Sequence, residues 1–440
     1  MSEAREGAFE EPAGDQPIGT FHAFRYVNYR LYWIGNFFTA AAQWTQEITV
    51  SWVVYILTGS GTMVGSVNLM RGVATLCFAL PAGSITDRVG RKRIIAVSQV
   101  MQATLAIALA VDLALGTIEI WHLFVYMLLA STAQTFNMPA WQTFVFDIVP
   151  RHVIPNAVAL AWLAFSIARA IGTMAGGSLI EIAGPAMNFS LQATAYMAVL
   201  AAVLFVRTRP AAPGPPRKPF IRSMADGYSY AVRHPQLRVL IAMAAISPFL
   251  IIPLHASLLP IFAKVQFHGQ GDTYGLLAGS IGVGGLLGGL LTASLNRVDR
   301  RGMMQLIALL IFAFSETTFA ILAHLTGNLW LCLPFLVIAG AFETVYATTN
   351  RAVMQLISPD HLRGSIASML QVTFLLMPIG SFLAGFGADH LGAPLVGATI
   401  TFTAGMIGVI ILVTSSELRS VRLSTLVQGG TNVEVTPTAR

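Results

Sequence analysis

Apolar runs of about 20 residues, the length needed to cross the hydrocarbon of a bilayer, recur along the whole chain. They lie near 31–57, 63–85, 94–115, 120–145, 156–181, 187–206, 239–264, 274–295, 303–324, 329–350, 365–388 and 394–414. The pattern predicts twelve membrane helices joined mostly by short polar breaks. The long break, 207–238, separates six runs from six. Its first part, Arg207-Thr-Arg-Pro-Ala-Ala-Pro-Gly-Pro-Pro-Arg-Lys-Pro219, is a proline-rich linker that cannot continue a helix. In the rest, Met224, Tyr228 and Ala231 recur at helical spacing, which predicts a surface helix at the inner leaflet. The expected domains are an acidic tail (1–30), a six-helix bundle (31–206), the linker (207–238), a second bundle (239–414) and a tail (415–440).

Composition narrows the class. With 55% hydrophobic and 10% charged residues and a mean hydropathy of +0.68, one core could not bury the apolar surface of a 440-residue soluble globule. The formal charge of +6 is scattered over short loops and makes no basic groove for nucleic acid. Topology accounts for it: with the N-terminus cytoplasmic, all but three of the 26 Lys and Arg fall in inside segments. The exceptions are Arg71 and Arg169 within spans and Lys264 outside. Both termini are therefore expected inside. Glu3, Glu6, Glu10, Glu11 and Asp15 against a single Arg5 read as a disordered acidic tail and not a signal peptide. Cys77 and Cys332 lie in apolar runs, far from any metal-binding or disulfide spacing. No metal, cofactor or catalytic group is expected, and the chain is read as a monomer.

The two halves are related. A shift of 209 positions lays Asp87-Arg88-Val89-Gly90-Arg91-Lys92 over Asn296-Arg297-Val298-Asp299-Arg300-Arg301, and Val149-Pro150-Arg151-His152 over Ser358-Pro359-Asp360-His361. Two loops agreeing on one offset argue for two homologous six-helix bundles, a parallel repeat.

Polar groups inside spans are expensive and are functional candidates by default. Asn36, Gln43 and Glu47 share one stripe of helix 1. Gln134, Asn137 and Trp141 share one of helix 4, and the repeat carries them onto Glu343, Tyr346 and Asn350 of helix 10. Both helices are expected to line a central cavity. Glu47 is a candidate proton carrier; the alternative is a structural carboxylate held by Arg71 or Arg169. Glu343 sits nearer the inner end, suited to an entrance or to snorkelling toward water. His255, beside Pro253, falls within one residue of the repeat position of Glu47, and reads either as a titrating site or as a hydrogen-bonded histidine in a kinked helix. For Glu316 a hydrogen bond to a neighbouring helix is expected.

The loop Gly83-Ser84-Ile85-Thr86-Asp87-Arg88-Val89-Gly90-Arg91-Lys92-Arg93 resembles the signature loop of the major facilitator superfamily, Gly-x-x-x-Asp-Arg-x-Gly-Arg-Lys. The resemblance implies an all-α polytopic fold of twelve transmembrane helices in two six-helix pseudo-repeat bundles. It assigns Gly83 and Gly90 to close helix approach and a tight turn, Asp87 to the N-terminal end of helix 11, and Arg91 to an acidic partner at the end of helix 4, here Asp147, with Arg88 in the same gating loop. Gly172-Thr-Met-Ala-Gly-Gly177 in helix 5 resembles an exporter-associated motif, with Thr173 in place of its proline; close packing of two helices is the competing reading. Asn28–Gly35 with Gln43–Gln46, Gly227–Pro235, and Asn137–Ala140 with Asp147–Pro150 resemble the enterobactin-exporter and macrolide-efflux-like branch. What that implies is alternating-access export of small amphipathic molecules from a bacterial cytoplasm against inward H+ flow, from the inner membrane and within the lipid bilayer. Uptake or lysophospholipid movement on the same fold is the alternative. A membrane enzyme acting on lipid-linked substrates would need clustered His, Asp or Glu at one interface, and the sequence has none.

Overall fold

The protein's structure, a computed structural model, describes residues 19–206, 229–230, 233–295, 298–359 and 362–424. Among them the regular structure is helical throughout. After a single turn at His22–Arg25 come α1 (Val27–Thr58), α2 (Gly61–Val89), α3 (Arg91–Leu115) and α4 (Ile120–Phe144). The segment Ile154–Phe205 is broken at Gly184, whose φ of 78° only glycine adopts easily, so it forms two arms, α5 (154–183) and α6 (185–205). Then follow α7 (Pro235–Gln266), α8 (Gly271–Ser294), α9 (Arg301–Thr326), α10 (Leu329–Ile357), α11 (Arg363–Thr373 and Leu376–Leu391), α12 (Ala393–Thr414) and a short α13 (Ser416–Arg419).

Nine helical segments among the described residues are long and apolar enough to cross a membrane, with the broken 55-residue Arg151–Phe205 counted as one. The helices left out of that set are α1 and α4, and their polar residues are the reason. The order is consistent with twelve spans. The surface helix expected in the linker, and the repeat positions Asn296, Arg297, Asp360 and His361, lie outside the described residues.

The helices group into two compact units. The first takes the described residues up to 57 and 73–206; the second takes 58–72 and those from 229 onward. The start of α2 thus groups with the second unit, although its sequence belongs to the first half.

In a membrane, lipid tails are as apolar as leucine, so close packing and hydrogen bonds hold helices together. The first unit shows both along one seam. On α1, the Tyr29 hydroxyl donates to Ala157 O (2.8 Å), Trp33 Nε1 to Leu160 O (2.9 Å), Asn36 Nδ2 to Ala161 O (3.1 Å) and Thr45 Oγ1 to Gly172 O (2.9 Å). These bonds bind α1 to α5. Gly172 lets the backbones meet, since a Cβ there would lie 2.7 Å from Ala41 O. The exporter-like glycines therefore act here as a packing surface. Asn188 of α6 completes the seam, donating to Gly176 O (2.8 Å) and Thr49 Oγ1 (3.0 Å).

The second unit relies on glycine more heavily. A Cβ on Gly284, Gly288 or Gly340 would come within 2.1–2.2 Å of a carbonyl oxygen on the facing helix, so α8 and α10 cross backbone to backbone. The first turn of α2 is capped from α11. Asp389 accepts hydrogen bonds from Ser60 Oγ (2.6 Å), Gly61 N (2.6 Å), Thr62 N (2.9 Å) and Thr62 Oγ1 (2.6 Å), satisfying donors that a helix start leaves open. Beyond α12 the chain folds back: Gly302 N donates to Val421 O (3.2 Å), and Ser424 donates to the Asp299 carboxylate through its N–H (2.8 Å) and hydroxyl (3.2 Å).

Two outcomes are expected. Gly172→Ala forces its Cβ into the Ala41 carbonyl and should destabilise the detergent-solubilised protein by about 1–3 kcal/mol, read as a lowered Tm. The two Ser424 hydrogen bonds hold the Asp299 carboxyl below its ordinary pKa. Docking of the 420–424 segment should thus be complete above the ordinary carboxylate range and be lost as pH falls through the lowered value. A spin label at Ser420 should report it, and Asp299→Ala should free the label at neutral pH.

Candidate functional site

The first unit holds an open cavity of about 310 Å³. From α1 come Tyr32, Asn36, Thr39, Ala40 and Gln43; from α4, Gln134, Asn137, Met138, Trp141 and Gln142; from the turn beyond it, Val145 and Phe146; and from α5, Val158, Ala161, Trp162 and Phe165. Gln43 Nε2 donates to Gln134 Oε1 at 2.7 Å, a bond that fixes both amides between α1 and α4. Tyr32 and Trp141 stand with ring centroids 5.2 Å apart, and the Tyr32 hydroxyl donates to Trp141 O (3.3 Å). Two buried polar atoms of lining residues, Asn137 Oδ1 and Trp141 Nε1, have no protein partner among the described residues. No lining residue carries a formal charge. The chemistry on offer is amide and indole hydrogen bonding within aromatic and aliphatic walls.

Five of the predicted polar residues meet here: Asn36, Gln43, Gln134, Asn137 and Trp141. Glu47 does not line the cavity; it is half-buried one turn beyond Gln43. Arg169 of α5 lies over the Trp44 ring, 4.9 Å from its centroid, a cation–π contact. The wall from α5 was not anticipated, although Trp162 and Phe165, three positions apart, present one aromatic face. Helix 5 held no charged or amide residue at that depth to draw attention.

The equivalent positions in the second unit are used differently. The Tyr346 hydroxyl donates to Met243 O (2.6 Å), and Asn350 Nδ2 to Leu240 O and to Gln305 Oε1 (each 3.3 Å). Both residues are 3% exposed. Backbone carbonyls of α7 take up their polar groups, so they join α10 to α7. Glu343, on the same helix, is half-buried. His255 of α7 pairs with Glu316 of α9, Nε2 to Oε1, at 2.6 Å. This is the hydrogen bond to a neighbouring helix expected for Glu316, and it makes the histidine half of a buried pair. Arg71 lies in the part of α2 that groups with the second unit.

In the signature loop Arg91 and Asp147 form a 2.5 Å ion pair with side chains 22% and 15% exposed, the partnership that the resemblance assigned. Gly90 has a φ of 96°, which demands glycine at the turn. Lys92 Nζ donates to Leu204 O (2.9 Å) and Val206 O (2.7 Å), placing a cation on the carbonyl end of α6. Arg88 is exposed. A Cβ at Gly83 would meet nothing within 4 Å among the described residues. The Asp87 side chain lies outside what is described.

The model of a family described as transmembrane secretion effector matches residues 18–428. The chain belongs to that family, within the major facilitator superfamily. It is 24% identical over 415 residues to the enterobactin exporter EntS of Salmonella choleraesuis, covering 92% of this chain and 95% of that protein. It is 24% identical over 355 residues to the multidrug efflux pump Tap of Mycolicibacterium fortuitum, covering 78% and 85%. A bacterial homologue of the human lysosomal transporter Spinster has the same fold, at a TM-score of 0.67 and 14% identity, covering 89% of this chain and 96% of that one. This protein is a multi-pass membrane transporter and not an enzyme.

Asp147→Asn should cost about 1.5–3 kcal/mol, the range for a hydrogen bond to a charged group. Thermal unfolding of the purified protein checks it. Combining Arg91→Gln with Asp147→Asn should add little further loss if the two residues act as a pair.

Proposed function

We propose that this transporter exports small, predominantly uncharged amphipathic molecules from the cytoplasm by alternating access, in exchange for protons. One observation carries the substrate class: a cavity of about 310 Å³ with aromatic and aliphatic walls, paired amides and no charged residue in its lining. Such a site favours a ligand with apolar rings and a few hydrogen-bonding groups, because an ionised group entering it would lose hydration with no counter-charge to replace it. Export is what the names of two relatives describe, a multidrug efflux pump and an enterobactin exporter. The bacterial inner membrane with both termini inside is the setting that the distribution of Lys and Arg supports.

Alternating access needs two forms whose balance ligands shift. The Arg91–Asp147 pair beside the tight Gly90 turn suits a latch in the cytoplasmic loop. Proton exchange supplies the driving force, with Glu47 as the carrier indicated by the sequence.

Proteoliposomes containing the purified protein in sodium-free buffer test the reading, with a pH dye inside and macrolides, cationic dyes and siderophores added in turn. Proton movement that follows an uncharged or weakly charged amphipath is expected. Gln134→Leu should lower the apparent affinity about 5–30-fold, the effect of losing roughly 1–2 kcal/mol of hydrogen bonding. Proton movement only with strongly anionic substrates would sink the uncharged-cavity reading. No proton movement with any substrate that is transported would sink antiport.

A further inference from the structure

Away from the cavity, the most chemically charged arrangement inside a described unit is the pair of His255 and Glu316. Glu316 is fully buried and His255 has 10% of its side chain exposed. Imidazole Nε2 and carboxyl Oε1 are 2.6 Å apart, and the second oxygen, Oε2, is buried with no hydrogen-bond partner among the described residues.

Electrostatics restricts what this pair contains. An ionised Glu316 beside a neutral imidazole would leave one net charge in a low-dielectric interior, at a cost of several kcal/mol. A proton shared between the two groups would remove that charge, and it would belong to the pair more than to either residue. The neighbouring elements offer few rivals. The α12 helix, which packs on the Leu254–Leu258 turn, carries no titratable residue; α11, whose Leu376–Leu391 part packs there too, has Arg363 at its start and Asp389 and His390 in its last turn. On α9 the other titratable groups are Arg301 and His324, near its two ends, and the facing α10 carries Cys332, Glu343, Tyr346 and Arg351. From α2, Asn68 Nδ2 donates to Ala256 O (3.1 Å), and Arg71 follows one turn later.

The backbone beneath His255 departs from α geometry. Leu254–Leu258 is a π-helical turn, one of three in α7 with Ser247–Ile251 and Phe262–Gln266, and Pro248, Pro253 and Pro260 interrupt the same helix. A π turn holds one more residue than an α turn and occurs mostly at functional sites. Converting it to α geometry would turn the residues beyond it by about 100° around the helix, enough to draw the imidazole from the carboxyl.

We propose that the His255–Glu316 pair is a proton-binding site of this transporter, and that release of its proton accompanies rearrangement of the π turn in α7. Coupling through this site rests on the antiport reading above; proton binding at the pair does not. The pair loads with a proton when closed, Glu316 being neutralised by it. When the turn rearranges, the separated carboxyl gives up the proton where water can take it.

Two measurements on the full-length protein test the two parts. Difference infrared spectroscopy of detergent-purified protein, titrated with acid and base, should show a carboxyl C=O band that appears with protonation. Glu316→Gln should remove it, whereas His255→Asn should shift its titration. Glu316→Gln keeps the side-chain size and a hydrogen bond to His255, and a swapped His255→Glu, Glu316→His variant should restore a titrating band if folding tolerates the single changes poorly. A band unchanged in Glu316→Gln overturns the proposal whatever transport shows. In proteoliposomes the wild type should move protons with substrate, and Glu316→Gln should lower that proton movement at least about tenfold. Its apparent Kd for substrate should lose the roughly tenfold change per pH unit that exchange of one proton imposes. If Glu47→Gln alone uncouples transport and Glu316→Gln leaves it intact, coupling through the pair is refuted. If the wild type moves no protons at all, antiport fails, while the infrared band still decides whether the pair binds one.

Discussion

A polar group carried into a hydrocarbon-spanning helix is costly to leave unpaired, because the solvent there offers no partner. In the first unit that cost shapes the seam between α1 and α5. Tyr29, Trp33, Asn36 and Thr45 each spend their donor on a carbonyl of the facing helix, and Gly172 brings the two backbones near enough for such bonds to form. Residues that look wasteful in a membrane thus become its joints. The cavity exists because the same helix keeps Gln43 free of that seam and directs it to Gln134 of α4.

The two units meet the constraint in different ways, despite their common repeat. The first tolerates a polar but uncharged cavity. The second closes the corresponding polar positions: Tyr346 and Asn350 bind α10 to α7, and a glycine seam brings α8 onto α10. It also buries the His255–Glu316 pair, whose histidine stands on a helix interrupted by prolines and π turns. Positions that the repeat makes equivalent thus do different work in the two units.

Much of the site was legible because membranes make polarity conspicuous. Asn36, Gln43, Gln134, Asn137 and Trp141 stood out against apolar runs, and their spacing of three, four or seven placed them on single helix faces. The aromatic wall from Trp162 and Phe165 was not legible, since in a membrane helix such residues serve lipid, core and ligand alike. Glu316 was read as a structural hydrogen bond, and so it is; its depth and the identity of its partner change what that bond means. Tyr346 and Asn350 show the limit of spacing, as a polar face at helical period is the same whether it meets water or a neighbour's carbonyls.

By itself, then, the sequence determined what depends on local chemistry: which segments are apolar enough to span a membrane and the turn that Gly90 makes. These follow from hydropathy, charge and backbone freedom within a few residues. Tertiary structure decided which polar faces meet one another. Whether an amide becomes part of a cavity or of a seam, and whether a histidine stands alone or against a buried carboxyl, depends on helices 60 to 130 residues apart in the chain. No local pattern carries that information, because hydrogen bonding inside a membrane is satisfied by whichever helix is nearest.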